Sequence, residues 1–144
     1  MTIKQLHLIL IAFLVFPLCS FKNIEKKKID LLTYPIQGLW IGKYSVTGEQ
    51  HFGSQYFSFI IKPDGTMIND TRGAGQQHIA VGTWALKGKT FICSFTCIYG
   101  SSSNIGITET ATAKWDKTGK LTNGVWKNVA PLTGSGRFEL KRVN

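Results

Sequence analysis

Acidic side chains are scarce in this chain: 8 Asp and Glu stand against 17 Lys and Arg in 144 residues, a formal net charge of +9. Histidine and cysteine are scarcer still, with three of each. His7, His51 and His78 lie far apart, and the Cys93-x-x-x-Cys97 pair has no His pair beside it. That spacing gives no metal-binding motif, so neither a metal nor a cofactor is expected. No serine stands in a Gly-x-Ser-x-Gly setting. Gly73-Ala74-Gly75-Gln76-Gln77-His78 opens like a dinucleotide loop but lacks the third glycine and the helix that would follow. No catalytic set is visible, and an enzyme is not expected. Helical periodicity is missing after Pro35, which excludes bundles and alternating α/β architectures.

Long apolar runs are also few. Leu8–Phe16 (LILIAFLVF) is unbroken but far short of the ~20 residues a membrane-spanning helix needs. With Lys4 before it and Pro17-Leu18-Cys19-Ser20 after it, the run reads as a secretory signal peptide over residues 1–20. Two endings stand. Cys19 is a candidate for lipidation in a bacterial lipoprotein box, and cleavage after Ser20 is the rival. Either makes the expected location extracytoplasmic: periplasmic, outer-membrane lipoprotein or secreted. Export would favour disulfides. Yet four residues of straight strand hold Cys93 and Cys97 about 13 Å apart, where a disulfide needs Cα atoms within about 7 Å.

The positive charge does not gather into a nucleic-acid face. Lys26-Lys27-Lys28 lies in a polar tether over residues 21–37, and Lys87, Lys89, Lys117 and Lys120 lie in expected turns, with no aromatics interleaved. Nucleic acid is not an expected partner. Membrane contact is expected only through a lipid anchor at Cys19, and the chain is expected to be a monomer.

What is present is a series of short alternating runs separated by turn residues: GLWIGKYSVT, QYFSFIIK, TMIND, HIAVGTWAL, TFICSFTCIY, ITETATAKW, LTNGVWKNV and GRFELKRV. Pro63-Asp64-Gly65, Lys87-Gly88-Lys89 and the Asp116–Lys120 stretch punctuate them. Phe91, Cys93, Phe95, Cys97 and Tyr99 share one face of the fifth run. Ile105, Ile107, Glu109, Ala111, Ala113 and Trp115 share one face of the sixth. The polar segment Asp70–His78 reads as a mobile loop at one end. Eight one-sided strands must cover their apolar face, and eight is the number at which a closed barrel is just filled or holds one small ligand. The expected fold is all-β: an eight-stranded antiparallel up-and-down barrel over residues 38–144.

Gly38-Leu39-Trp40 on the first strand of such a meander resembles the lipocalin and calycin barrels. The resemblance implies that Trp40 closes the barrel bottom and that a basic residue of the last strand lies across its indole. Counting by twos from Phe138 and Leu140, that residue is Arg142. In size the domain is similar to avidin-like barrels and to small barrel inhibitors of bacterial metalloproteases.

The candidate interior, and so the candidate ligand-binding set, is Trp40, Tyr44, Phe57, Phe59, Trp84, Phe95, Glu109 and Trp115, with Trp40 and Arg142 as closure residues. Glu109 has two readings: a polar anchor for a ligand inside the barrel, or a wet rim position. So many aromatics also leave two readings of the interior, filled or hollow. The function expected is a lipocalin-like, non-catalytic binding domain for a small apolar or amphipathic ligand. The alternative is a protein-binding module, such as a secreted protease inhibitor or surface accessory protein, acting on an extracytoplasmic protein through its loops.

Overall fold

The computed structural model describes residues 35–49, 53–73 and 75–144, all within the unit Leu32–Asn144. The signal segment, Cys19 and the tether up to residue 34 lie outside the described residues, as does His51.

Eight strands follow one another: β1 (Gly38–Val46), β2 (Gln55–Ile61), β3 (Thr66–Gly73), β4 (Gln76–Lys87), β5 (Thr90–Tyr99), β6 (Thr108–Trp115), β7 (Lys120–Asn128) and β8 (Ser135–Arg142). Each pairs antiparallel with the next, and β8 pairs with β1, closing the barrel. Among the described residues there is no helix. The barrel expected from the strand pattern is the fold that forms.

Alternation decides which side chains go inside. On β5, Phe91, Cys93, Phe95 and Cys97 are all buried, while Ser94 and Thr96 face outward. Cys93 and Cys97 are free thiols on the same face. Three details depart from straight alternation. Asp70–His78 is no loop: Asp70 pairs with Ile79, Thr71 with His78, Arg72 with Gln77 and Gly73 with Gln76. Neighbours on both sides of a closed sheet supply ladder partners even to a polar run with weak β propensity. β6 starts only at Thr108, so Ile105 sits in the preceding link, 53% exposed. A register irregularity at Ile79/Ala80 ends the inward alternation of β5, and Tyr99 is 59% exposed.

The two ends of the barrel differ. Short turns join β2 to β3, β4 to β5 and β6 to β7 at one end. Asp64 there caps its turn by accepting the Thr66 amide (2.9 Å) and hydroxyl (2.6 Å). Asp116 accepts the amides of Thr118 (2.8 Å) and Lys120 (2.9 Å) in the same way. The stretch Pro35–Gln37, assigned by sequence to the tether, belongs to this end. Ile36 is buried, and its carbonyl accepts the Trp40 indole N–H at 2.8 Å. The opposite end carries the longer links 47–54, 100–107 and 129–134 and the tight β3–β4 hairpin.

The β1–β8 seam pairs Trp40 with Arg142, Gly42 with Leu140, Tyr44 with Phe138 and Val46 with Gly136. Arg142 donates from Nε (3.3 Å) and Nη2 (3.2 Å) to the Gln37 carbonyl, with its guanidinium against Gly38. Arg137 lies on the outer face, exposed. Backbones approach so closely at this seam that a Cβ on Gly42 would collide with the Glu139 carbonyl. Trp40 is fully buried. Trp40→Ala is therefore expected to cost about 3–5 kcal/mol and Gly42→Ala about 1–3 kcal/mol. Arg142→Ala should cost less than Trp40→Ala, and Arg137→Ala almost nothing. Urea unfolding of the four variants checks the order; equal losses at Arg137 and Trp40 would contradict it.

Candidate functional site

Inward side chains on eight strands stack in tiers, and the tiers nearest the short turns are closed by rings. Phe59 sits at the centre, with ring centroids 4.9 Å from Phe57, 5.7 Å from Phe91, 5.9 Å from Phe95 and 5.7 Å from Phe138. Trp40, Ile61, Met67, Leu121 and Leu140 fill the space around them. Each such side chain contributes about 1.5–3 kcal/mol by leaving water.

Above Phe57 the filling stops. A cavity of about 340 Å³ opens toward the end with the longer links, within the size range of small-molecule sites. Its apolar surface comes from Tyr44, Phe57, Ala80, Ile107 and Trp126, and its polar surface from Asn69, Thr71, His78, Glu109 and Asn128. The floor is rigid because it is the top of the packed core. The walls are also tied. Trp126 donates its indole N–H to the Ser45 carbonyl at 3.1 Å and stands edge-on to Tyr44, centroids 6.0 Å apart. The Asn104 amide donates to His78 Nε2 at 2.9 Å, anchoring the 100–107 link to β4. Asn128 donates to the Thr133 carbonyl at 2.9 Å and so holds the β7–β8 link. Asn69 donates to the Ser58 carbonyl at 3.0 Å and is 3% exposed.

The residues singled out by sequence divide between these two zones. Tyr44, Phe57 and Glu109 line the cavity. Trp40, Phe59, Phe95 and Trp115 are buried in the packed part. Trp84 is partly buried near the short turns, stacked on Phe91 at 6.3 Å, and donates to the Lys62 carbonyl at 2.8 Å. Trp126, His78 and Asn69 line the cavity without having been assigned to it from sequence. Trp126 carried one signal, the Gly124-x-Trp126 spacing shared with Gly38-x-Trp40.

Glu109 is the inward residue of β6 between Phe95 of β5 and Asn128 of β7. It makes no hydrogen bond or ion pair with another described residue. Burial among these walls pushes its carboxyl pKa up to about 7. Burial, and then the nearby Glu109 charge, raise the Tyr44 phenol. Burial also raises the Cys93 and Cys97 thiols. Among the described residues no group of three His, Cys, Asp or Glu side chains comes together to hold a metal.

The sequence matches no protein-family model and no curated protein. Among solved structures, the fold is similar to "a redesigned beta barrel, mFAP1, bound to DFHBI", with a TM-score of 0.52 over 78% of this chain and 95% of that one. At 15% identity the likeness is one of fold.

The raised Glu109 pKa has a consequence for stability. The folded chain holds this proton more tightly than the unfolded chain does. Stability therefore falls as pH rises from the ordinary 4.5 through about 7, and the full penalty applies above that. Glu109→Gln is expected to be more stable than wild type by about 1–3 kcal/mol at pH 8 and by little at pH 4. Thermal unfolding of both proteins at the two pH values measures the difference. A variant that is less stable at pH 8 would show that Glu109 has a stabilising partner.

Proposed function

We propose that this chain is an exported, non-catalytic binding protein that carries one small apolar or amphipathic ligand in the open end of its barrel. The observation that supports this most is the division of the interior. Packed aromatic rings fill the tiers near the short turns, and the tiers beyond them are an open cavity with mixed apolar and polar walls. A chain selected only for stability gains by filling such a space. Calycin-like barrels offer the same arrangement, a closed bottom and an open mouth. Export follows from the signal-like segment at residues 1–20, with either lipidation at Cys19 or cleavage after Ser20. The rival reading, a protein-binding module acting through loops, loses support because Asp70–His78 forms a paired hairpin at the cavity mouth.

Native mass spectrometry of the mature protein, purified from its own source, tests the reading. A small-molecule adduct is expected on the wild type and its loss on Ala80→Phe, which fills the cavity from a buried wall position. The intact mass of the same sample should show a chain processed at Cys19 or after Ser20. An adduct that survives in Ala80→Phe, or an unprocessed N-terminus, would contradict the corresponding half of the proposal.

A further inference from the structure

The chain is strongly basic, yet the cavity is not. Among the described residues that line it there is no Lys or Arg. Its ionisable groups are Tyr44 on β1, Glu49 in the 47–54 link, His78 on β4, Cys97 on β5 and Glu109 on β6. The inward residues that β2, β3 and β7 present to it carry no charge, and no residue of β8 lines it. Among the described lining residues a carboxylate ligand would find no Lys or Arg and would face Glu109. A ligand with a positive head finds the reverse.

The surroundings of Glu109 are specific. Its neighbour across the ladder on β7 is Asn128, and Trp126 is the next inward residue of that strand, opposite Ala111. Glu109 and Trp126 are thus diagonal neighbours on the inner face, within reach of each other's long side chains. Tyr44 stands edge-on to Trp126 at 6.0 Å and is close enough to Glu109 to feel its charge. One carboxylate beside two electron-rich rings suits an ammonium group: the carboxylate accepts charge-assisted hydrogen bonds, and the ring faces attract the cation. Phe57 and Ile107 supply apolar wall for the rest of the molecule.

We infer that the ligand is a primary or secondary ammonium compound with an aromatic or apolar body, its nitrogen held by Glu109 beside Tyr44 and Trp126. This rests on the cavity being the binding site. No bond is made or broken. Binding replaces the missing partner of Glu109 and favours its ionised form, so affinity rises as pH increases through about 7.

Three probes of the same shape test it on the full mature chain by calorimetry: 1-naphthylmethylamine, 1-naphthylmethanol and 1-naphthoate. The amine is expected to bind about ten-fold or more tighter than the alcohol at pH 8, the size of one charge-assisted hydrogen bond, and the carboxylate weakest. In Glu109→Gln the amine should lose its advantage and its pH dependence, while the alcohol binds as before. Equal binding of amine and alcohol to wild type, or a preference unchanged in the variant, would overturn the ammonium assignment and leave the cavity as a binding site. No binding of any of the three would overturn both.

Discussion

The pairing of β1 with β8 is the contact on which the rest depends. Seven of the eight neighbour relations in this sheet are local hairpins. The eighth joins Trp40 to Arg142 and Val46 to Gly136 across nearly the whole domain. It removes the two free edges a meander would otherwise present. It also turns one apolar face into an enclosed interior, so that Phe57, Phe59 and Phe138, from strands at the two ends of the sequence, meet as one cluster. Gly42 permits the close approach. Trp40, with its indole tied to Ile36, closes the bottom.

Enclosure fixes a volume, and side-chain size decides how it is used. Near the short turns the inward positions carry Phe, Trp, Leu, Ile and Met. Toward the other end Ala80, Thr71, Asn69, Cys97 and Glu109 stand among the larger Tyr44, His78 and Trp126 without filling the space, and a cavity results. The packed part holds the walls of the open part rigid. The open part holds a half-buried carboxyl without a partner among the described residues, a cost that a globular core has no reason to retain. The same arrangement that weakens the domain above neutral pH leaves a preformed acceptor for a ligand.

Much of the fold was legible because a closed antiparallel sheet obeys a period of two, and the alternation on β5 and β6 placed Phe95, Ala111 and Glu109 on the correct face. Turn chemistry at Asp64-Gly65 and Gly88 marked the hairpins. Three things were not legible. Alternation reports the face of a residue and not its height along the barrel, so Phe59 and Phe57, successive inward residues of β2, could not be assigned to floor and cavity. Bulges hide as well. Leu121 is inward, and straight alternation from it sends Trp126 outward. A register shift between Leu121 and Gly124, with Asn123 at a φ of 52°, reverses the parity and brings Trp126 inside. The strand ends at Asp70–His78 were missed for a different reason: those residues are held by their neighbours' backbones rather than by their own propensity.

The central claim is that the tiers beyond the aromatic floor bind a ligand and the packed tiers do not. The four tryptophans report on this, because only Trp126 lines the cavity while Trp40, Trp84 and Trp115 lie elsewhere. Nuclear magnetic resonance of the indole N–H signals during titration with 1-naphthylmethylamine is the direct measurement. A half-filled barrel requires the Trp126 signal to move, together with the amides around Tyr44 and Glu109, while the Trp40 and Trp84 signals stay in place. Movement confined to Trp84 or to outward residues such as Ile60 and Val81, with Trp126 unchanged, would contradict it.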